Sequence, residues 1–147
     1  MTTEALIGMG SEFWMDNNAG TPVLTKLGEI TGIPLPNPQT GEIEATHFGS
    51  PNRRREYISG LIEDGEGDIA LNYIPGSATD ALLRGAQSSG ATKGYKIVIP
   101  ADMEGGTWEI TGDLIVKGYE RGVPMDDKMT ATVSIRFTGA STEAAGV

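Results

Sequence analysis

Three consecutive arginines, Arg53 to Arg55, stand just ahead of five carboxylates in the stretch SPNRRREYISGLIEDGEGD, residues 50–68. A guanidinium group pairs with a carboxylate or a phosphate through two parallel hydrogen bonds. This cluster could therefore bind nucleic acid, act on an anionic substrate, or hold another protein. The whole chain, however, has a formal net charge of -9 at pH 7. Such a surface repels phosphate and disfavours strong DNA binding.

From Gly49 to Gly67, in the segment that carries the arginines, the apolar residues have neither strand nor helix spacing. This predicts a long protruding loop that is disordered in the free subunit. It contains apolar side chains with no obvious core to enter. Because the rest of the chain supplies the excess negative charge, the simplest partner for the arginines is another copy of the protein; a solvated, flexible hairpin is the alternative. The predicted subunit-interface residues are Arg53, Arg54, Arg55, Tyr57, Ile58, Leu61, Ile62, Glu63, Asp64, Glu66 and Asp68.

The motifs that would bind a nucleotide or a metal are incomplete. GAQSSGATK, residues 85–93, has the two glycines of a phosphate loop, but Lys93 comes two positions late and the segment follows a helix. DGEGD, residues 64–68, spaces carboxylates like a calcium loop, yet Ile69 and Pro75 stand where that motif needs Gly and Glu. The sequence predicts no cofactor and no metal site.

Side chains that could act in catalysis are equally sparse. The chain has no cysteine, which removes disulfides and thiol nucleophiles, and His47 is its only histidine. Asp126-Asp127 and Glu63-Asp64 are neighbouring acids, which on a strand would point to opposite faces and are interpreted as charged turn surface. No catalytic residue is predicted, and an enzyme is not expected.

Short β-strands dominate the pattern that must position these residues. The 147 residues suffice for one domain, and 21 glycines and 8 prolines divide them into short pieces. In KMTATVSIRFTG, residues 128–139, apolar and polar residues alternate as a half-buried strand requires. Related patterns occur in TWEITGDLIVKGY (107–119), YKIVIP (95–100) and GDIALNYIP (67–75). Weaker strand candidates are SEFWMD (11–16) and TKLGEITGI (25–33). Gly112, on the apolar face of TWEITGDLIVKGY, predicts a bulge or a close backbone approach.

One segment has helical spacing. SATDALLRGAQSSG, residues 77–90, begins with Ser77 three residues before Asp80, the spacing of a capping box. The predicted fold is mainly β: a β-sandwich or barrel of about seven or eight strands, with one short lateral helix and a long protruding loop. We expect a single domain over residues 1–147, with an N-terminal arm at 1–10, the protruding loop at 49–67 and a flexible C-terminal tail at 141–147.

The order of these features has a parallel in a known family. An acidic loop (SGLIEDGEGD) precedes a strand closing in Pro-Gly (IALNYIPG), a short helix, the strand YKIVIP, and finally TWEITGDLIVKGYERGVPMDDKMTATVSIRFTG. Over most of the chain this arrangement resembles the major tail tube protein of long-tailed bacteriophages, the group typified by phage lambda. A phage tail-completion or capsid-decoration protein and a small carbohydrate-binding β-sandwich are the alternatives.

The resemblance implies a self-assembling structural protein. Its subunits would join into hexameric rings, which stack into a hollow tube around a tape-measure protein, end at a tail-terminator protein and later conduct DNA without adhesion. By the same resemblance, the loop at 49–67 reaches from one ring to the next. The protein would then be part of the virion tail, assembled in the cytoplasm of the bacterial host. No membrane partner is expected, because no apolar run approaches the length of about 18 residues that a spanning helix needs.

Overall fold

The computed structural model describes residues 8–16, 23–101 and 105–146. Of these residues 55% are in strands, and they also form one α-helix and one short 3-10 helix. The strands are β1 (Glu12–Asp16), β2 (Leu24–Lys26), β3 (Ile30–Gly32), β4 (Gln39–Glu44), β5 (Tyr57–Glu63), β6 (Glu66–Asn72), β7 (Lys93–Pro100), β8 (Thr107–Gly122) and β9 (Thr130–Ala145). The α-helix, α1, is Ala78–Ser89, and the 3-10 helix is Pro51–Arg53.

Seven strands form one antiparallel sheet in the order β2-β1-β7-β8-β9-β6-β3, which curls into a half-barrel. β4 and β5 pair with each other and form a second, two-stranded sheet. The long hairpin of β8 and β9, paired from Gly122 and Thr130 to Trp108 and Ala145, lies near the middle of the large sheet. The predicted mainly β, barrel-like fold is confirmed.

The core occupies one face of the large sheet because its strands alternate apolar and polar side chains. Along β9, Val133 and Ile135 are fully buried, whereas Ser134 between them is only half-buried on the other face. Equivalent side chains from β1, β6, β7 and β8 complete the core. A fully buried aliphatic or aromatic side chain contributes about 1.5–3 kcal/mol, so this face dominates the stability of the subunit. The bulge predicted at Gly112 is present, since the pairing of β8 with β9 shifts register between Thr111 and Asp113. A Cβ atom at Gly112 would lie 3.0 Å from the hydroxyl oxygen of Tyr95.

Helix α1 covers the core through Leu82, Leu83 and Ala86, which are buried. The sequence-predicted cap is confirmed, because the Ser77 hydroxyl accepts a hydrogen bond of 3.1 Å from the Asp80 amide. The helix ends at Gly90, whose φ of 62° is a left-handed conformation that glycine adopts without strain. Both ends of the helix are therefore specified locally by the sequence.

Asp80 joins the start of α1 to the sheet. Its carboxylate is buried and accepts hydrogen bonds from the Tyr119 hydroxyl (2.9 Å), the Arg84 Nε (3.1 Å) and the Gly76 amide (3.2 Å). Burial by itself raises the pKa of Asp80, but these hydrogen bonds and the charge of Arg84 outweigh it and hold the pKa below its usual value. The ionised form thus fixes the helix against β8.

Two predictions about irregular segments were wrong. Residues 49–67 are not one disordered loop, because β5 occupies Tyr57–Glu63 and β6 begins at Glu66. Residues 141–145 are not a flexible tail: they continue β9, and 142–145 pair with 108–111 of β8. Both segments are largely exposed, so burial imposes no alternation that the sequence could show. Residues 1–7 of the expected N-terminal arm, and the NNAGTP segment at 17–22, lie outside the described residues.

Replacing Asp80 by Asn should destabilise the subunit by about 1–3 kcal/mol at pH 7, because charge-assisted hydrogen bonds to a buried group are lost. The folded-state pKa is depressed, so this contribution is complete above the unfolded value of about 3.9 and is lost as pH falls through the folded pKa. Urea denaturation of both proteins at pH 7 and pH 3 measures it. Asp113→Asn, at an exposed position, is the control. Equal stability of Asp80→Asn and wild type at pH 7 would contradict the role of Asp80.

Candidate assembly interface

Residues 30–72 form one long antiparallel ribbon that leaves the large sheet halfway along its length. At one end β3 pairs with β6 as the edge of the large sheet, and at the other end β4 pairs with β5 alone. We call residues 39–63, which comprise β4, β5 and the connection between them, the hairpin arm. The sequence-predicted interface residues 53–63 all lie on this arm.

The exit of the hairpin arm from the sheet is closely packed. The Asn37 amide donates to the carbonyl oxygen of Asp64 (2.9 Å), and the Phe137 amide of β9 donates to that of Gly65 (3.0 Å). Gly65 has a φ of 80°, which a side chain would disfavour. A Cβ atom at Gly67 would lie 2.5 Å from the Cβ of Pro34. These contacts set the direction in which the arm leaves the sheet.

Two of the four acids at the base of the arm already have partners within the same subunit. Glu66 pairs with Lys117 (2.6 Å) and with Arg136 (2.9 Å), and Glu63 lies 3.4 Å from Arg136. Hydrogen bonds from Lys117 and Arg136 lower the pKa of Glu66. Asp64 is buried, and Asp68 is exposed. The base therefore has a network of mixed charge, with acids and bases in contact.

The two faces of the hairpin arm are uncovered. Ile43 and Ile58 are directly paired across the strands, and Gly60 lies beside them, where an added Cβ would meet Ile43 at 3.3 Å. A bulge places two residues of β5, Gly60 and Leu61, opposite Gly41 of β4. Leu61 is 88% exposed and Ile62 is 68% exposed. The arm thus presents apolar side chains to solvent at both faces, as predicted for Tyr57, Ile58, Leu61 and Ile62.

The tip of the arm, residues 45–56, is ordered by its own polar groups. The Ser50 hydroxyl donates to Glu56 (2.7 Å), and the Glu56 amide donates to the Thr46 hydroxyl (2.8 Å). His47 lies 3.4 Å from the Glu56 carboxylate. Arg53 follows Asn52 with a positive φ at both residues, an uncommon backbone for side chains of this size. This compact turn leaves the three arginines exposed at its surface.

The arginines of the tip are distant from the acids of the base. β5 spans Tyr57–Glu63, and at about 3.4 Å a residue it separates the two groups by roughly 20 Å. Within one subunit, Arg55 lies 4.0 Å from Glu44. The structure therefore brings the predicted interface residues together on one arm, but it does not bring Arg53–Arg55 to Glu63, Asp64, Glu66 or Asp68 of the same copy.

Two exposed apolar residues of the arm were missed by the sequence analysis. Phe48 lies at the tip and is fully exposed, and Ile43 of β4 is 53% exposed. Both precede the segment at 49–67 that was expected to protrude. The sequence Thr-Gly-Glu-Ile-Glu at residues 40–44 could have indicated strand β4, because its polar residues alternate with one glycine and one isoleucine.

The second face of the large sheet, opposite the core, is polar. Its lysines and Arg136 are paired with acids of neighbouring strands: Lys26 with Glu12 (3.2 Å), Lys96 with Glu109 (3.4 Å), and Lys117 and Arg136 with Glu66. Lys96 also lies over the ring of Trp14, 4.8 Å from its centroid. Threonine and serine side chains of β8 and β9 occupy positions between the charged pairs.

In residues 8–16, 23–101 and 105–146, no group of three or more His, Cys, Asp or Glu side chains is placed to hold a metal ion. None of the helices within these ranges is both long and apolar enough to span a bilayer.

The structure is thus a mainly β half-barrel with one helix and a projecting two-stranded arm. The chain belongs to the lambda phage tail tube protein family, whose model matches residues 16–144. The resemblance seen in the sequence is confirmed. A search of curated protein sequences gave no match.

Solved structures with the same fold come from phage tails and related particles. The baseplate of the anti-feeding prophage, solved with six-fold symmetry, contains a chain 13% identical with a TM-score of 0.69, over 98% of this chain and 97% of that one. The SPP1 tail tube is 13% identical with a TM-score of 0.68, over 97% and 81%. The tail of a gene transfer agent particle, with C6 symmetry, is 13% identical with a TM-score of 0.63, over 88% and 93%. At this identity the comparison shows a shared fold.

Replacing Gly67 by Ala should destabilise the subunit by about 1–3 kcal/mol, because the new methyl group overlaps Pro34 at the exit of the arm. Gly118→Ala is the matched control, since a Cβ atom there would meet its nearest neighbour, Ser134, at 3.9 Å. Urea denaturation measures both. If the two variants are equally stable, Pro34 and Gly67 do not fix the exit of the arm.

Proposed function

We propose that this protein is the structural subunit of a phage tail tube, in which hexameric rings stack to form the hollow tail of the virion. The family match over residues 16–144 is the observation that carries the proposal. The exposed hairpin arm supports it, because six of the fourteen large apolar side chains exposed among the described residues lie on that arm. Such a concentration of exposed apolar surface marks an interaction site.

The hairpin arm is the contact between successive rings. Its arginines and apolar side chains gain little within their own subunit, and aromatic and arginine side chains are enriched where protein interfaces are strongest. The carboxylates of Glu63, Asp64, Glu66 and Asp68 in a neighbouring copy are one set of partners for Arg53–Arg55. Because Glu63 and Glu66 are already paired with Arg136 and Lys117, each of these carboxylates would then contact cations of both subunits.

The polar face of the large sheet lines the lumen. Its lysines and Arg136 are already paired with carboxylates of the same subunit, so few cations are free to hold phosphate. The net charge of -9 adds a repulsive potential. DNA would therefore slide along this wall without adhesion. A tape-measure protein inside the tube and a terminator at its end are the further partners that the family resemblance supplies.

The direct test is electron microscopy of the purified protein over a range of protein and salt concentrations. Stacking by head-to-tail contacts predicts rings or open tubes above a threshold concentration, because such contacts repeat without limit along the axis. A protein that stays monomeric at all concentrations, with a native circular dichroism spectrum, would contradict the proposal.

Removing the hairpin arm should abolish tubes and leave the subunit folded. Residues 39–63 can be replaced by two glycines that join Pro38 to Asp64, because Asn37 and Asp64 are already hydrogen-bonded. The large sheet retains all its pairings in this variant. Sedimentation and microscopy report assembly, and urea denaturation reports folding. Tubes of normal length from the shortened protein would rule out the arm as the contact between rings.

Adding cations to the lumen face should make the tube bind DNA. Thr111→Lys combined with Thr132→Lys places ammonium groups on the polar face of β8 and β9, and we expect co-sedimentation of a short duplex that weakens steeply with salt. Gln87→Lys with Ser88→Lys adds the same charge on the exposed side of α1 as a control. Equal binding by both variants would show that this face does not line the lumen.

A further inference from the structure

The exposed apolar side chains of the subunit concentrate at the two ends of the ribbon formed by residues 30–72. One group is the hairpin arm. The other lies where β6 ends and β8 turns into β9, and it comprises Ile74 (48% exposed), Val123 (73%) and Met125 (100%). Of the remaining exposed apolar side chains of the described residues, Met9 and Leu35 line one cavity, Val23 and Leu24 are adjacent in sequence, and Trp108 lies on β8. We call the group Ile74, Val123, Met125, Asp126 and Asp127 the loop patch.

Backbone pairing makes the loop patch one surface. Gly122 pairs with Thr130, so residues 123–129 form the connection between β8 and β9. The Tyr73 amide donates to the carbonyl oxygen of Met129 (3.0 Å), which places Ile74 beside this connection. The patch is at the far end of the ribbon from the arm, because Asn72 of β6 also pairs with Thr130.

The charge of the loop patch complements the arm. Asp126 and Asp127 are exposed, and neither forms an ion pair with any described residue, although Asp127 accepts the backbone amide of Lys128 (2.7 Å). Between β8 and β9 there are thus two carboxylates and one ammonium group. Glu63 and Glu66 at the base of the arm differ, because they already neutralise Arg136 and Lys117.

We propose that the loop patch receives the tip of the hairpin arm from a copy in the adjoining ring, with Arg53–Arg55 against Asp126 and Asp127 and Phe48 against Met125 and Val123. This inference rests on the proposed function and deepens it. The two surfaces lie at opposite ends of the ribbon, separated along β5 and β6 by about 50 Å of strand. Two different patches at opposite ends form a head-to-tail contact, which repeats from ring to ring.

Engineered disulfides test this contact cleanly because the chain has no cysteine. Tubes of a variant with both Arg54→Cys and Asp126→Cys should form a ladder of covalent multimers under mild oxidation. Arg54→Cys and Asp126→Cys alone are the controls for pairing between identical positions. Arg54→Cys with Asp68→Cys tests the acids at the base of the arm. A ladder from this last variant and none from the 54/126 pair, in tubes of normal appearance, would overturn the inference and leave the tube function standing.

Charge exchange gives a second readout. Asp126→Lys with Asp127→Lys should raise the threshold concentration for polymerisation at least about tenfold. Adding Arg53→Glu, Arg54→Glu and Arg55→Glu to this variant should bring the threshold back toward the wild-type value. Asp113→Lys, at an exposed position of β8 outside both surfaces, is the control and should change the threshold little. An unchanged threshold in the 126/127 variant would contradict the contact. Failure of the wild-type protein to form tubes under any condition would instead remove the proposed function itself.

Discussion

The structure depends on one backbone feature: the ribbon of residues 30–72 extends beyond the edge of the large sheet, so only part of it is paired with that sheet. The part of the ribbon made by β3 and β6 is paired at the edge of the half-barrel, whereas β4 and β5 pair only with each other among the described residues. A two-stranded ribbon is marginally stable alone, and here it also exposes Ile43, Ile58 and Leu61. Covering a large apolar side chain contributes about 1.5–3 kcal/mol, so the arm is stabilised most when another molecule packs on it.

The rest of the subunit keeps that arm available. Alternation along β9 directs Val133 and Ile135 to the core and Ser134 to the opposite face, so the large sheet needs only one helix to cover its apolar side. The Asp80 carboxylate fixes that helix to Tyr119. The opposite face is left polar, with its cations paired inside the subunit, which suits a wall along which a polyanion passes. Core, wall and contact surface thus occupy different parts of the chain.

The sequence predicts the parts of this structure in which burial imposes a pattern. The strands β6 to β9, the Ser77 cap of α1 and the bulge at Gly112 follow from alternation, capping chemistry and the missing side chain. β5 could not be predicted in the same way: Tyr57, Ile58, Leu61 and Ile62 are all exposed, and a bulge breaks the period of two. Their exposure was nevertheless predicted, because the segment contains apolar side chains with no obvious core to enter. The loop patch was not predicted as a contact surface: Asp126 and Asp127 were interpreted only as charged turn surface, and Ile74 comes beside the β8–β9 connection only in three dimensions.

A helical reconstruction of the assembled tube by electron cryo-microscopy tests the central claim most directly. Density for residues 39–63 should leave its own subunit and cross to a subunit of the adjoining ring, with the polar face of the large sheet toward the axis. Density for this arm folded onto its own subunit, or in contact only with neighbours in the same ring, would contradict the claim that the hairpin arm holds successive rings together.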